Sequence, residues 1–339
     1  MSGFAAVTGA NGFVGSNLCD TLLSRGWRVR GVVRPSSNLK WLNSDRVDVH
    51  KCRLESSEQL DNAFRDVDVV FHCAAQTSAT SLSELMRSNR DATHAVAHSL
   101  AKNNGGRTKL VLVSSVAASG PGQRGVIRKP EDPCTPVSNY GYSKRAGEIV
   151  ASEMCGSVPV VIVRPGPVYG QRDMEFLQLF RTLKRLRLNP IPGYVSPSLS
   201  MIHVEDLVEI LIRAAEHGQF VKGDPEATTG QGYYFAAETE PTSLAEFGHR
   251  IARALGIKRM VNLPIPLFVA NGIATSSEMW MKLWGRKSNL TRDKIREASA
   301  PSWAVSPIST LRELNFGFPL PMQERLNQTI HWYRAEGLL

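Results

Sequence analysis

The 339 residues include only five cysteines, at 19, 52, 73, 134 and 155, and none forms a CxxC pair. That spacing excludes a zinc ribbon or a dithiol redox motif. Cys19, Cys52 and Cys73 lie in apolar segments, so they read as buried thiols in a reducing compartment, and a cytoplasmic location is expected. Internal repeats and low-complexity tracts are absent. No basic stretch followed by a long apolar run opens the chain, which argues against a signal peptide. A long uncharged run, Met260 to Ser277, is broken by two prolines, two asparagines and a glycine, which argues against a transmembrane helix. Acid is in the minority: 40 Lys and Arg face 31 Asp and Glu, for a net charge of +9. A basic chain favours anionic partners. The charge is nevertheless spread along the sequence, with no basic stripe interleaved with aromatics, so nucleic-acid binding is not expected. The densest cluster, "RTLKRLRL" from Arg181, reads as the solvated face of a helix.

What is present is a soluble composition, 42% hydrophobic and 21% charged, in a chain long enough for a sizeable core. Its first half alternates β-rich runs with helical patterns. "FAAVTGA", "WRVRGVVR", "VDVHKC", "VDVVFHCAA", "KLVLVSS" and "VPVVIVRP" are the strands. Several are almost unbroken apolar runs, as strands buried on both faces require. Strands alternating with helices predict an α/β fold, a Rossmann-type doubly wound parallel sheet. Ser56 with Gln59, and Ser243 with Glu246, have the spacing of helix-starting capping boxes. After Pro165 prolines crowd in and the rhythm changes. We therefore expect a dinucleotide-binding domain over 1–165, with a return around 200–218. A smaller, mostly C-terminal substrate lobe would comprise 166–199 and 219–339.

"TGANGFVG" sets Gly9, Gly12 and Gly15 between the first strand and the first helix. Glycines there permit a tight turn and close approach to a pyrophosphate, and the helix N-terminus supplies N–H groups and partial positive charge. Asn11, Phe13 and Val14 belong to the same loop. The second strand ends in "GVVRPSSNLK", with Arg34 and Lys40 where many NAD sites carry an acid for the ribose. A guanidinium suits a 2′-phosphate, which favours NADP(H) over NAD(H).

"NYGYSKRAGE" (139–148) carries Tyr140 and Lys144 four residues apart, one turn of a helix, whereas Tyr142 points elsewhere and reads as packing. A nearby ammonium lowers the pKa of a phenol. Such a pair can exchange a proton with a substrate oxygen while hydride moves at the adjacent carbon. The serines of "LVSSVAASG" end the fifth strand, at the sheet edge where ligands bind.

Taken in order, "TGANGFVG", "HCAA", Asn89 in "SNRDAT", "VSSVAASG", "YGYSK", "RPGPVYG", "IHVEDL" and the terminal "LNFGFPLPMQERLNQTIHWYRAEGLL" resemble the extended short-chain dehydrogenases/reductases over nearly the whole chain. The resemblance implies that Tyr140 is the catalytic acid/base. Lys144 would lower its pKa and hold the nicotinamide ribose. Ser115 is the match to the active-site hydroxyl, with Ser114 as the fallback. Ala74 of "HCAA", Leu54, Pro165 and Val168 would line the cofactor. Arg53 stands where the family usually has an aspartate near the adenine. The nucleotide-sugar branch typically has an asparagine where this chain has Pro167, and an arginine before "IHVED" that is missing here. The remaining pattern is nearest to dihydroflavonol 4-reductase and 3β-hydroxysteroid dehydrogenase. It implies an NADP(H)-dependent oxidoreductase acting on a secondary alcohol or ketone of a mainly apolar small molecule. The alternatives are a nucleotide-sugar epimerase with tightly held NAD and a non-catalytic dinucleotide sensor. Relatives often form homodimers. The stretch 263–287, with Met279, Trp280, Met281 and Trp284 flanked by Lys258, Arg259, Lys282, Arg286 and Lys287, reads first as a helix packed in the lobe's core. A wall or lid of an apolar substrate pocket, and contact with an anionic membrane surface, are the other readings of that composition.

Overall fold

The computed structural model describes residues 3–79, 81–103, 106–222, 230–284 and 291–339, apart from the side chains of 103 and 279–284. The side chains of Met279, Trp280, Met281, Lys282 and Trp284, and all of Arg286 and Lys287, thus lie outside the described residues.

The first half builds β1 (Phe4–Thr8), α1 (Phe13–Ser24), β2 (Arg28–Val33), β3 (Asp48–Lys51), α2 (Ser57–Ala63), β4 (Val69–His72), α3 (Leu82–Met86), α4 (Ala92–Asn103), β5 (Lys109–Val113), α5 (Val116–Ser119), α6 (Asn139–Glu153) and β6 (Val160–Pro165). A π turn, Arg87–Asp91, joins α3 to α4. Next come β7 (Val168–Tyr169), α7 (Phe176–Leu186), β8 (Leu188–Pro192), β9 (Ser198–Leu199), β10 (Ile202–His203) and α8 (Val204–His217). The chain ends with β11 (Tyr233–Ala236), β12 (Thr242–Ser243), α9 (Leu244–Leu255), β13 (Val261–Ile265), α10 (Leu267–Trp284), α11 (Arg292–Ala298), β14 (Ser302–Trp303), α12 (Ile308–Glu313) and α13 (Met322–Ala335).

The main sheet has the order β3-β2-β1-β4-β5-β6-β11, and every neighbouring pair is parallel. Its central strands are fully buried because helices cover both faces, which explains their unbroken apolar sequence. The order reverses between β1 and β4, and a crevice opens there at the carboxyl ends of the strands. β11 comes from the stretch expected to belong to the lobe, yet it supplies the seventh strand. It pairs Tyr233 to Ala236 with Ile162 to Pro165 of β6. The C-terminal helix α13 is fastened to α8 by a buried ion pair, Arg325 Nε to Asp206 Oδ2 at 3.0 Å.

Ser243 caps α9 by accepting the Glu246 N–H at 3.0 Å. Ser56 precedes α2 but makes no side-chain cap, and the Gln59 side chain accepts the Arg53 N–H at 2.9 Å. The reading of 263–287 as a core helix needs correction at its start. Ala270 and Ala274 of α10 are buried against Ile295, but Leu267, Phe268, Val269 and Ile273 face solvent. Among the described residues no helix is long and apolar enough to cross a membrane.

Candidate active site

The glycine turn folds as its sequence requires. Gly9 has φ +66°, and a Cβ there would lie 2.9 Å from the backbone of Ala74. A Cβ on Gly15 would stand 2.3 Å from the Gly9 carbonyl oxygen. The turn therefore seats α1 directly against the end of β1, beside Ala74. Gly12 is the N-cap of α1 and brings no capping side chain. The N–H groups of the first turn, including those of Phe13 and Val14, have no partner within the helix. This bare, positively polarised terminus at the sheet's switch point fits a pyrophosphate.

Asn11 donates from Nδ2 to the Asn38 carbonyl at 3.1 Å, tying the glycine turn to the loop after β2. Arg34 is exposed at the start of that loop, and the Lys40 ammonium rests 4.0 Å from the Trp41 ring centre. Leu54 is half-buried against the core beneath β3. Pro165 is buried at the end of β6, and Val168 is half-buried just beyond it.

Tyr140 and Lys144 lie on α6, whose N-cap Ser138 accepts the Gly141 N–H at 2.9 Å. Tyr142, read from sequence as packing, is 49% exposed instead, since its face of the helix meets solvent. The two serines after β5 have different partners. Ser114 donates to the buried Glu148 carboxylate at 2.6 Å. Ser115 is half-buried, caps α5 by accepting the Ala117 N–H at 3.1 Å, and stands near enough to the Tyr140 phenol to lower its pKa.

The electrostatics differ from the sequence expectation. Burial and the charge of Glu297 raise the pKa of the Tyr140 phenol, while the Ser115 side chain lowers it in part. The Lys144 ammonium donates to the Val113 carbonyl at the end of β5, at 2.7 Å. Burial lowers Lys144 itself to about 8, against the opposing charge of Glu148. Beneath the site, burial brings His72 to about 3, so it is neutral, and its Nδ1 shares a 2.7 Å hydrogen bond with Thr8.

Three groups were missed in the sequence. Glu148 follows Lys144 by one more turn on the same face of α6. It binds Arg164 of β6 at two points, 2.8 and 2.7 Å, with both side chains withdrawn from water. The recurrence of Tyr140, Lys144 and Glu148 at intervals of four was the available signal. Asn89 was noted only as a matching residue. Its side chain clamps Gln76 after β4, accepting the N–H at 2.8 Å and donating to the carbonyl at 2.9 Å. It also donates to Ser143 of α6 at 2.8 Å. Asp293 and Glu297 on α11 were not singled out. Asp293 accepts the N–H groups of Asn139 and Tyr140, and Glu297 accepts from the Ser138 hydroxyl. Lys294 of the same helix pairs with Glu175 at 2.6 Å.

The site thus combines a dinucleotide cradle, a hydroxyl pair at the strand-end crevice and a buried ammonium one helical turn away. Several known proteins are similar to this chain. Ceramide reductase of Caulobacter vibrioides is 30% identical over 340 residues, covering 99% of this chain and 96% of that protein. The 4-hydroxy-2-methyl-3-oxo-4-farnesyl-3,4-dihydroquinoline-1-oxide ketoreductase of Stigmatella aurantiaca is 29% identical over 317 residues, 91% of this chain and 86% of that one. The solved structure of dTDP-glucose 4,6-dehydratase from Bacillus anthracis, in complex with NAD, shares the fold with a TM-score of 0.77. It is 18% identical and covers 99% of both chains. Residues 5–225 match the model of the NAD dependent epimerase/dehydratase family, and the chain belongs to that family.

Proposed function

We propose that this oxidoreductase moves hydride between NADP(H) and a ketone or secondary alcohol on a bulky, mainly apolar substrate. The observation that carries the reading is the Ser115 hydroxyl near the Tyr140 phenol at the crevice edge, with Lys144 one turn behind. The bound nicotinamide supplies or accepts the hydride. In reduction, Tyr140 gives its proton to the carbonyl oxygen, and Ser115 hydrogen-bonds the same oxygen. Lys144 holds the cofactor's ribose and keeps positive charge near the phenol as it loses its proton.

Arg34, exposed at the tip of β2 with no acid beside it, supports the preference for a 2′-phosphate. Residues 1–165 and 200–218 would hold the dinucleotide. Residues 166–199 and 219–339 would cover the substrate, apart from the sheet strand β11. Two relatives bear lipid-like groups in their names, ceramide and a farnesylated quinoline oxide, and this supports a long-chain or isoprenoid-like ketone. The test is a cofactor titration with NADPH and NADH, followed by a panel of long-chain and sugar-nucleotide ketones read by nicotinamide absorbance. Turnover of an apolar ketone with NADPH is the expected result. Turnover confined to nucleotide sugars, or NAD(H) retained through purification, would overturn it.

A further inference from the structure

β8 and β13 form a parallel ribbon, with Leu188 opposite Val261, Pro190 opposite Leu263 and Pro192 opposite Ile265. Side chains alternate across a strand, so these six share one face, and all six are apolar. The other face carries the buried Asn189 and Ile191, with Asn189 Nδ2 bonded to Asn262 Oδ1 at 2.9 Å. The apolar face is open along β13, where Val261 is 61% and Leu263 44% exposed, while Leu188, Pro190, Pro192 and Ile265 are half-buried. At the ends of these strands the Gly193 N–H donates to the Ile265 carbonyl at 2.8 Å. This brings the loop carrying Tyr194 beside the start of α10. Tyr194 is 78% and Phe268 79% exposed, an extreme for aromatic side chains. A patch of this kind on a folded chain marks a docking surface.

Charge indicates what docks. The segments 185–195 and 257–273, which build the patch, contain four Lys or Arg and no Asp or Glu. Arg185, Arg187, Lys258 and Arg259 are exposed, and the Arg187 carbonyl accepts the Val261 N–H at 3.0 Å, so the cations border the ribbon. A second copy of the chain would bring the same acid-free surface against itself, and like charges would face each other across the two-fold axis. A surface with anionic headgroups outside and acyl chains beneath complements both properties.

We propose that this face docks the protein on an anionic lipid bilayer. Tyr194 and Phe268 enter the boundary between headgroups and acyl chains, and the four bordering cations meet lipid phosphates. α10 packs on α11, and α11 holds the first turn of α6 through Asp293. A lipid-like substrate would thus be collected on the side of the lobe that reaches Tyr140. Docking needs no turnover, so it stands or falls apart from the substrate reading.

The test is co-sedimentation with phosphatidylglycerol vesicles and with phosphatidylcholine vesicles, at low and high salt. The unaltered protein, the double variant Tyr194→Ser/Phe268→Ser and the charge reversal Lys258→Glu/Arg259→Glu are compared, each checked by thermal melting and light scattering. The unaltered protein is expected to bind phosphatidylglycerol, to lose binding at high salt and to ignore phosphatidylcholine. Each variant is expected to bind about tenfold or more weakly, the scale of losing partial burial of two aromatic rings or two lipid-phosphate contacts. Failure of the unaltered protein to bind phosphatidylglycerol overturns the proposal. So does a folded double variant that binds equally well, or a dimer that the double variant converts to monomer. If the double variant does not fold, undiminished binding by the charge reversal overturns it.

Discussion

Asp293 lies 153 positions beyond Tyr140, yet its Oδ2 accepts the Tyr140 backbone N–H at 3.1 Å. Its other oxygen accepts the Asn139 N–H at 2.8 Å. A carboxylate from α11 thereby lies at the N-terminus of α6, the helix of Tyr140 and Lys144, where the helix dipole favours negative charge. Asp293→Ala is expected to lower unfolding free energy by about 1 kcal/mol. It should also lower kcat more than it weakens NADPH binding, because the glycine turn that would cradle the cofactor lies on other elements and only Lys144 of the proposed cofactor contacts lies on α6. Thermal melting and cofactor titration check both parts, and an unchanged Tm would show that the link contributes nothing.

Glu148 and Arg164 are a second such tie, inside the main domain. Burial alone would raise the Glu148 pKa, but the Arg164 charge and hydrogen bonds outweigh it and hold the carboxyl ionised. Glu148→Leu strands a buried guanidinium and should cost roughly 3–5 kcal/mol. Glu148→Leu/Arg164→Met removes both charges and should be much less destabilised than the single variant. Urea unfolding distinguishes these cases. Equal losses in the single and double variants would contradict the pairing.

Glu297 gives a pH dependence. Burial pushes its carboxyl up to about 7, from an ordinary value near 4.5. The folded state therefore holds a proton that the unfolded chain releases. The stabilisation is complete below pH 4.5 and is lost as pH rises through about 7. Glu297→Gln should flatten stability across that window. It should also lower the Tyr140 pKa, since the Glu297 charge helps hold it up. The limb of the alcohol-oxidation profile that needs the phenolate should move to lower pH. A limb that stays in place would remove Glu297 from the site's electrostatics.

On the proposed reading Arg34 carries a preference for NADP(H). Arg34→Asp is expected to weaken NADPH binding by roughly 10–100-fold, the scale of a charge-assisted hydrogen bond. NADH binding should be unchanged or tighter. Nicotinamide fluorescence titration measures both, and equal effects on the two cofactors would contradict a 2′-phosphate contact.

Much of this was legible in the chain. The parallel sheet followed from unbroken apolar runs such as Val160–Val163, and the cradle from three glycines placed between a strand and a helix. The helix face shared by Tyr140 and Lys144 followed from a spacing of four. The contacts made by Asp293 and Glu297 were hidden because they lie about 150 positions from their partners, and pairs so distant leave no local periodicity. The strand β11 was hidden in a region whose prolines and loops mask a four-residue run. The raised pKa of Tyr140 was also not readable, since it depends on burial and on a carboxylate from another element. The exposure of Phe268 followed no rule of composition, because an apolar helix start looks alike whether it faces a core or a membrane.

The central claim is that Tyr140 exchanges the proton. Tyr140→Phe and Tyr142→Phe should be compared for NADPH-dependent turnover of a ketone accepted by the unaltered protein, with NADPH affinity measured alongside. Tyr140→Phe should bind NADPH normally and lose roughly 10²–10⁴-fold in kcat. Tyr142→Phe, at a position 49% exposed, should stay close to the unaltered rate. Substantial turnover by Tyr140→Phe, or a greater loss in Tyr142→Phe, would contradict the assignment.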